Sequence, residues 1–104
     1  MGKATGIIEV FGLACAFVAC DAGCKAADVT VETFDKNKPA KADTLPVPLI
    51  VCIKFRGTVD NVTAAVEAAK EAANRLTGVV SSHIIANVEP DTEYMLKLNA
   101  FDKK

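Results

Sequence analysis

The spacing of apolar side chains along the chain changes period several times, and each change marks an element. Residues 4–11, ATGIIEVF, are β-branched and stop at Gly12, which predicts a strand and then a turn. From 13 to 27 the chain is Ala-rich, with Leu13, Phe17, Cys20 and Cys24 at helical spacing, so a helix is expected with those four as its buried stripe and Asp28 closing it. Residues 29–34, VTVETF, alternate as a strand does, with Val29, Val31 and Thr33 on one face and Thr30, Glu32 and Phe34 on the other. Residues 49–55, LIVCIKF, form a nearly continuous apolar run, as in a strand buried on both faces and ended by Arg56-Gly57.

The strongest helical pattern runs from 59 to 76. Thr58 is its candidate cap, and Val59, Val62, Ala65, Val66, Ala69 and Ala73 form its apolar stripe. Asp60, Glu67, Lys70, Glu71 and Arg75 read as its solvated face. Gly78 fits the left-handed position beyond a helix end. Residues 79–88 return to strand, Pro90-Asp91 opens a last short helix over 92–98, and a polar tail occupies 99–104. The order is the split β-α-β-β-α-β pattern with a short C-terminal helix, an α+β fold of the α/β sandwich kind. A chain of 104 residues is one domain, 1–104, with its core over about 4–98.

One stretch has no period. Residues 35–48, DKNKPAKADTLPVP, hold three of the four prolines, so a loop of about fourteen residues is expected there, at the length where loops tend to carry function. Lys36, Lys38 and Lys41 within it offer positive charge to an anionic ligand.

Composition narrows the possibilities. The chain is 51% hydrophobic, with five Phe, one Tyr and no Trp, so disorder is excluded and small side chains fill the interior. The apolar excess points to a partner. A net charge of −1 gives no bulk attraction to nucleic acid or anionic lipid, and no apolar run reaches the ~20 residues of a membrane span. Glu9 interrupts the apolar stretch that would make a secretory leader, and Met1-Gly2 lacks the Ser or Thr at position 6 that N-myristoylation prefers. His83 is the single histidine and has no second ligand at metal spacing, and no triad or phosphate-binding loop is present, so no enzyme is expected. Cys15, Cys20, Cys24 and Cys52 read as reduced thiols of a cytosolic protein. Cys20 and Cys24, one turn apart, are the only pair that suggests cluster ligands, and the ordinary reading of both is as small hydrophobes, with no cofactor and no metal expected.

At residues 6–29, GIIEVFGLACAFVACDAGCKAADV, the chain resembles the shell proteins of bacterial microcompartments, the BMC domain family. Gly6, Glu9, Gly12, Leu13, Asp21 and Lys25 match, as do Arg56-Gly57, Gly78, His83-Ile84-Ile85 and Pro90. The resemblance covers roughly 4–98, all but the long loop. It implies a structural protein of a microcompartment in the bacterial cytoplasm, of the single-domain, hexamer-forming type. Flat homohexamers would tile with other shell proteins around the encapsulated enzymes, and small metabolites would pass a central pore. It further implies that Lys25 crosses the hexamer edge and that Asn37, Lys38, Pro39, Ala40 and Lys41 belong to the pore loop.

The chain departs from the family pattern twice. Its pore segment is longer than usual and has no Gly, and Asn87 stands where many members carry an edge Arg. Two alternatives stay beside the shell reading. One is a shell protein carrying an iron–sulfur cluster, against which the loop has no Cys; the other is a small split-βαβ domain that binds an anionic metabolite through the lysine loop.

Overall fold

A computed structural model describes residues 3–45, 47–99 and 101. Met1 and Gly2, Pro46 of the loop, and residues 100 and 102–104 of the expected tail lie outside the described residues. The elements are β1 (Ala4–Phe11), α1 (Leu13–Ala26), β2 (Thr30–Asn37), a 3-10 turn (Ala42–Thr44), β3 (Ile50–Gly57), α2 (Val59–Asn74), β4 (Val79–Ile85) and α3 (Pro90–Leu96). The order agrees with the split β-α-β-β-α-β expectation. One sheet results, in the order β2-β3-β1-β4, with every neighbouring pair antiparallel.

Strand alternation gives this sheet two unlike faces. Ile8 and Val10 of β1 and Val51, Ile53 and Phe55 of β3 point to the side covered by α1 and α2, where they form the core with Ala16, Ala19, Val62, Ala65, Val66, Ala69 and Ala73. Lys54 and Arg56 alternate with them onto the opposite face, where α3 lies, and are still only 6% and 9% exposed. Thus β3 is buried on both sides toward its C-terminal end, as its apolar run predicts, but one of the two coverings is polar.

The α2 pattern agrees with the structure except at its ends. Thr58 caps the helix by accepting a hydrogen bond from Asn61 N at 3.2 Å, and Val59 is exposed because it precedes the first buried turn. The stripe expected on α1 is corrected. The buried residues are Cys15, Ala16, Ala19 and Gly23, whereas Leu13 and Phe17 are exposed, Cys20 is half-buried and Cys24 faces solvent. Close packing against the sheet and α2 is the reason. A Cβ on Gly23 would sit 2.5 Å from Cζ of Phe55 and 3.0 Å from Ala65 O, so this face admits only small side chains.

Three further boundaries move. The register of β2 against β3 shifts between Val31 and Phe34, so an extra residue is accommodated and both side chains pack on the core side, not on opposite faces. The strand β2 runs on through Asp35, Lys36 and Asn37, which pair with Cys52, Val51 and Ile50; backbone pairing wins over the polar composition of that stretch. The strand β4 ends at Ile85, and α3 begins at Pro90 because Glu89 caps it, its side chain accepting from Asp91 N at 3.1 Å. Gly12 and Gly78 hold φ of 88° and 106°, turning the chain into α1 and out of α2 where a side chain would be strained.

Candidate functional site

The residues singled out by the sequence fall at two ends of the sheet. Pairing of Asn37 and Phe11 with Ile50 marks one end, and pairing of Ala4 with Gly57 and Thr5 with Ile85 marks the other. An eight-residue strand separates them by roughly 25 Å.

The loop emerges at the first end. Its base is closed by Gly12 N, which donates to Leu49 O at 2.8 Å. Asn37 is the last residue of β2, Lys38 and Ala40 are exposed, Pro39 is half-buried, and Lys41 opens the 3-10 turn. The Lys41 carbonyl accepts from Thr44 N at 3.0 Å and from Thr44 Oγ1 at 2.7 Å, which gives this part of the stretch a local order that the absence of a period did not predict. Lys36 is not a loop residue: its Nζ lies 5.0 Å from the centroid of the Phe101 ring. Asp35 is likewise in the strand, with its carboxylate 3.7 Å from Lys54 Nζ. The charges of the loop proper among the described residues are therefore Lys38, Lys41 and Asp43.

Lys25 and Asn87 share the opposite end but sit on different layers. Lys25 is in the last turn of α1, where a cation suits the helix dipole, and pairs with Asp21 at 2.7 Å while its side chain stays 76% exposed. The hydrogen bond and charge of Asp21 hold the Lys25 ammonium above its ordinary pKa. Asn87 is exposed in the bend after β4, next to Val88, whose buried side chain and N–H to Lys3 O at 3.2 Å fix the bend.

The sheet face opposite the helices carries a polar row that the sequence reading did not assemble. Asp35, Cys52, Glu9 and Ser81 stand side by side across the four strands. Ser81 Oγ donates to Glu9 Oε1 at 2.6 Å. A depression of about 290 Å³ opens beside them at the loop end, lined by Glu9, Asp35, Lys36, Asn37, Ile50 and Cys52. Burial, then the neighbouring Glu9, pushes the Cys52 thiol up to about 11, so it is a poor nucleophile. The signal for this face was present in the every-second-residue spacing of Cys52, Lys54 and Arg56, hidden inside a run that is apolar on average. His83 is exposed on this face beside Ile7.

On the helix side, a groove of about 420 Å³ lies between α1 and the β2 edge, lined by Leu13, Phe17, Thr33, Phe34, Asn99 and Phe101. The Phe17 and Phe34 rings meet there with centroids 5.2 Å apart. All four cysteines are free thiols. Burial first, then the neighbouring Cys24, pushes the Cys20 thiol up to about 12. Among the described residues no three His, Cys, Asp or Glu side chains are arranged to hold a metal ion, and no helix is long and apolar enough to cross a membrane.

Comparison with known proteins agrees with this architecture. The BMC domain family model matches residues 4–88. The carboxysome shell protein CcmK2 of Synechocystis sp. is 37% identical over 100 residues, 94% of this chain and 88% of the relative. The protein of the same name from Synechococcus elongatus is 35% identical over 94% of this chain and 89% of its own length. In the crystal structure of a microcompartment protein from Desulfitobacterium hafniense, a chain 25% identical superposes with a TM-score of 0.71 over 96% of this chain. This chain spans about half of that longer one, 49% of its length. The resemblance first carried by Gly6, Glu9, Gly12, Asp21 and Lys25 thus extends along most of the sequence, and the chain belongs to the BMC domain family.

Proposed function

We propose that the protein is a structural, non-enzymatic component of a bacterial microcompartment shell in the cytoplasm, and that six copies form a ring whose centre is a pore. The observation that carries the reading is the opposition of the loop and the Lys25/Asn87 pair at the two ends of one rigid sheet. A subunit built this way turns one end to a common axis and the other to the rim of the ring. Its relatives, named as carboxysome shell proteins along most of their length, support the same role. Exposed Leu13, Phe17, Val18, Tyr94 and Met95 supply apolar area for contacts between copies and with other shell proteins.

In this reading Asn37, Lys38, Pro39, Ala40 and Lys41 surround the axis, and Lys25 and Asn87 meet the neighbouring ring. Lys25 reaches across the edge with its ammonium free to donate to backbone carbonyls once it leaves Asp21. Mass measurement at micromolar concentration should return about six chains, and a stable monomer would end the proposal. The substitution Lys25→Ala should leave that mass unchanged while sheets seen by electron microscopy become smaller or vanish; undiminished sheets would remove Lys25 from the edge.

The loop carries two lysines against one aspartate among the described residues, so six copies make a positive rim that favours small anionic metabolites. Crystals of the ring grown in sulfate are expected to have Lys38 and Lys41 turned to the axis with an anion between them. Loops folded outward, with no anion on the axis, would reassign the loop to a face of the shell.

A further inference from the structure

We propose that the segment after α3 is a detachable wall of the groove between α1 and β2, held shut by Lys54 as its clasp. Lys54 lies on the sheet face that carries α3, and its Nζ donates to Leu96 O at 3.2 Å and to Leu98 O at 2.8 Å. Thr33 Oγ1, on β2 itself, donates to the same Leu96 O at 3.0 Å. The Phe101 ring stacks on Lys36, which pairs with the core residue Val51 and so belongs to the helix side of the sheet. Because β2 is the outermost strand, the Lys54 and Lys36 contacts grip its open edge from opposite faces.

The clasp answers a need of the helix. The last carbonyls of a helix lack intrahelical partners and carry the negative end of its dipole. No basic residue stands in the last turn of α3, so the cation comes from β3, where Lys54 is buried inside a run that is apolar on average. The groove has two walls built into rigid elements, Leu13 with Phe17 on α1 and Thr33 with Phe34 on β2, and a third made of Asn99 and Phe101. That third wall has little apolar burial, since Leu98 and Phe101 remain exposed, and side chains of the sheet hold it through polar and cation–π contacts. Its release bares the stacked Phe17 and Phe34 rings as an open apolar slot. All of these contacts lie within one chain, so the device does not depend on the proposed ring.

Limited trypsin digestion of the intact chain reads the open state, because the bond after Lys97 lies between the two carbonyls that Lys54 holds and is cut from the released segment. Lys54→Met should speed this cut about tenfold through loss of charge-assisted hydrogen bonds, and Thr33→Val about threefold through loss of one neutral bond. The cut after Lys41, in the loop, should keep its wild-type rate in both. A wild-type rate at Lys97 in Thr33→Val, which retains the Lys54 clasp and needs no buried charge removed, would overturn the proposal, as would equal acceleration at Lys41. Anilinonaphthalenesulfonate fluorescence gives a second readout. It should rise in Lys54→Met and fall back to the wild-type level in Lys54→Met combined with Phe17→Ala; a rise that survives the loss of Phe17 would show that the clasp does not close this groove.

Discussion

Replacing Phe55 by alanine is expected to destabilise the fold by about 4 kcal/mol, the range for emptying a fully buried aromatic site. Phe55 is 0% exposed and is the largest of the fully buried side chains. Its ring fills the space that Gly23 leaves open on α1, with a Cβ there falling 2.5 and 2.9 Å from two ring atoms. The reverse change, Gly23→Ala, overpacks the same spot and should cost about 2 kcal/mol, because Ala65 O at 3.0 Å blocks retreat on the other side. The two effects are coupled. In a Phe55→Leu background the penalty of Gly23→Ala should fall well below its value in the wild type, and additive losses would mean that the ring and the glycine do not share the space. Denaturant titrations at one fixed protein concentration measure all three, since assembly adds to apparent stability by mass action.

This knob and hole explains why α2 was legible in the sequence and α1 only partly so. The inward residues of α2 are Val62, Ala65, Val66, Ala69 and Ala73, with Ala72 buried beside them, so the apolar period and the buried face nearly coincide. On α1 the sheet and α2 approach so closely that the buried face is made of Cys15, Ala16, Ala19 and Gly23, and the larger Leu13 and Phe17 are displaced outward. Hydropathy weights large side chains, and here it was the small ones that marked the interior. The β2 strand misled in another way, since a bulge between Val31 and Phe34 changes which residues share a face and no single-sequence pattern announces a bulge.

The candidate site was legible in its positions more than in its contacts. Lys25 came from a matching motif, and Asn87 and the loop from departures from the family pattern; strand pairing sets Lys25 and Asn87 at one end of the sheet and the loop at the other. What the motifs could not contain is the polar face between those ends. Glu9, Asp35, Cys52 and Ser81 are far apart in sequence and adjacent only through the sheet register, and Asp35 and Lys36 leave the loop for the strand because β3 offers them backbone partners.

That polar face also determines how α3 is held, and Arg56→Met is expected to release the helix while the α1/α2 side stays folded. Only Leu96 of its seven residues is buried, so apolar packing alone is a weak attachment. The guanidinium of Arg56 donates from Nη1 and Nη2 to the two Glu93 oxygens at 2.5 and 2.7 Å, from Nη1 to Glu32 at 3.3 Å, and from Nε to Ala4 O at 3.2 Å. Lys54 adds Nζ donations to Leu96 O at 3.2 Å and Leu98 O at 2.8 Å. Without Arg56 the Glu32 and Glu93 carboxylates, both drawn to one cation, repel each other, which makes methionine worse than neutral despite its similar stem. Acid should weaken the same attachment in the wild type. The Arg56 hydrogen bond holds the Glu93 carboxyl below its ordinary value, so its stabilisation is complete above the usual Glu range near ~4.3 and is lost as pH falls through the lowered folded value. Tyr94 reports on this directly, being in α3 and the one Tyr of a chain without Trp. Its fluorescence anisotropy should be lower in Arg56→Met than in the wild type at neutral pH, and should drop on acidification in the wild type only. Equal anisotropy in the two proteins at neutral pH, or a wild-type value that rises as pH falls, would show that α3 is held by something other than this ion pair.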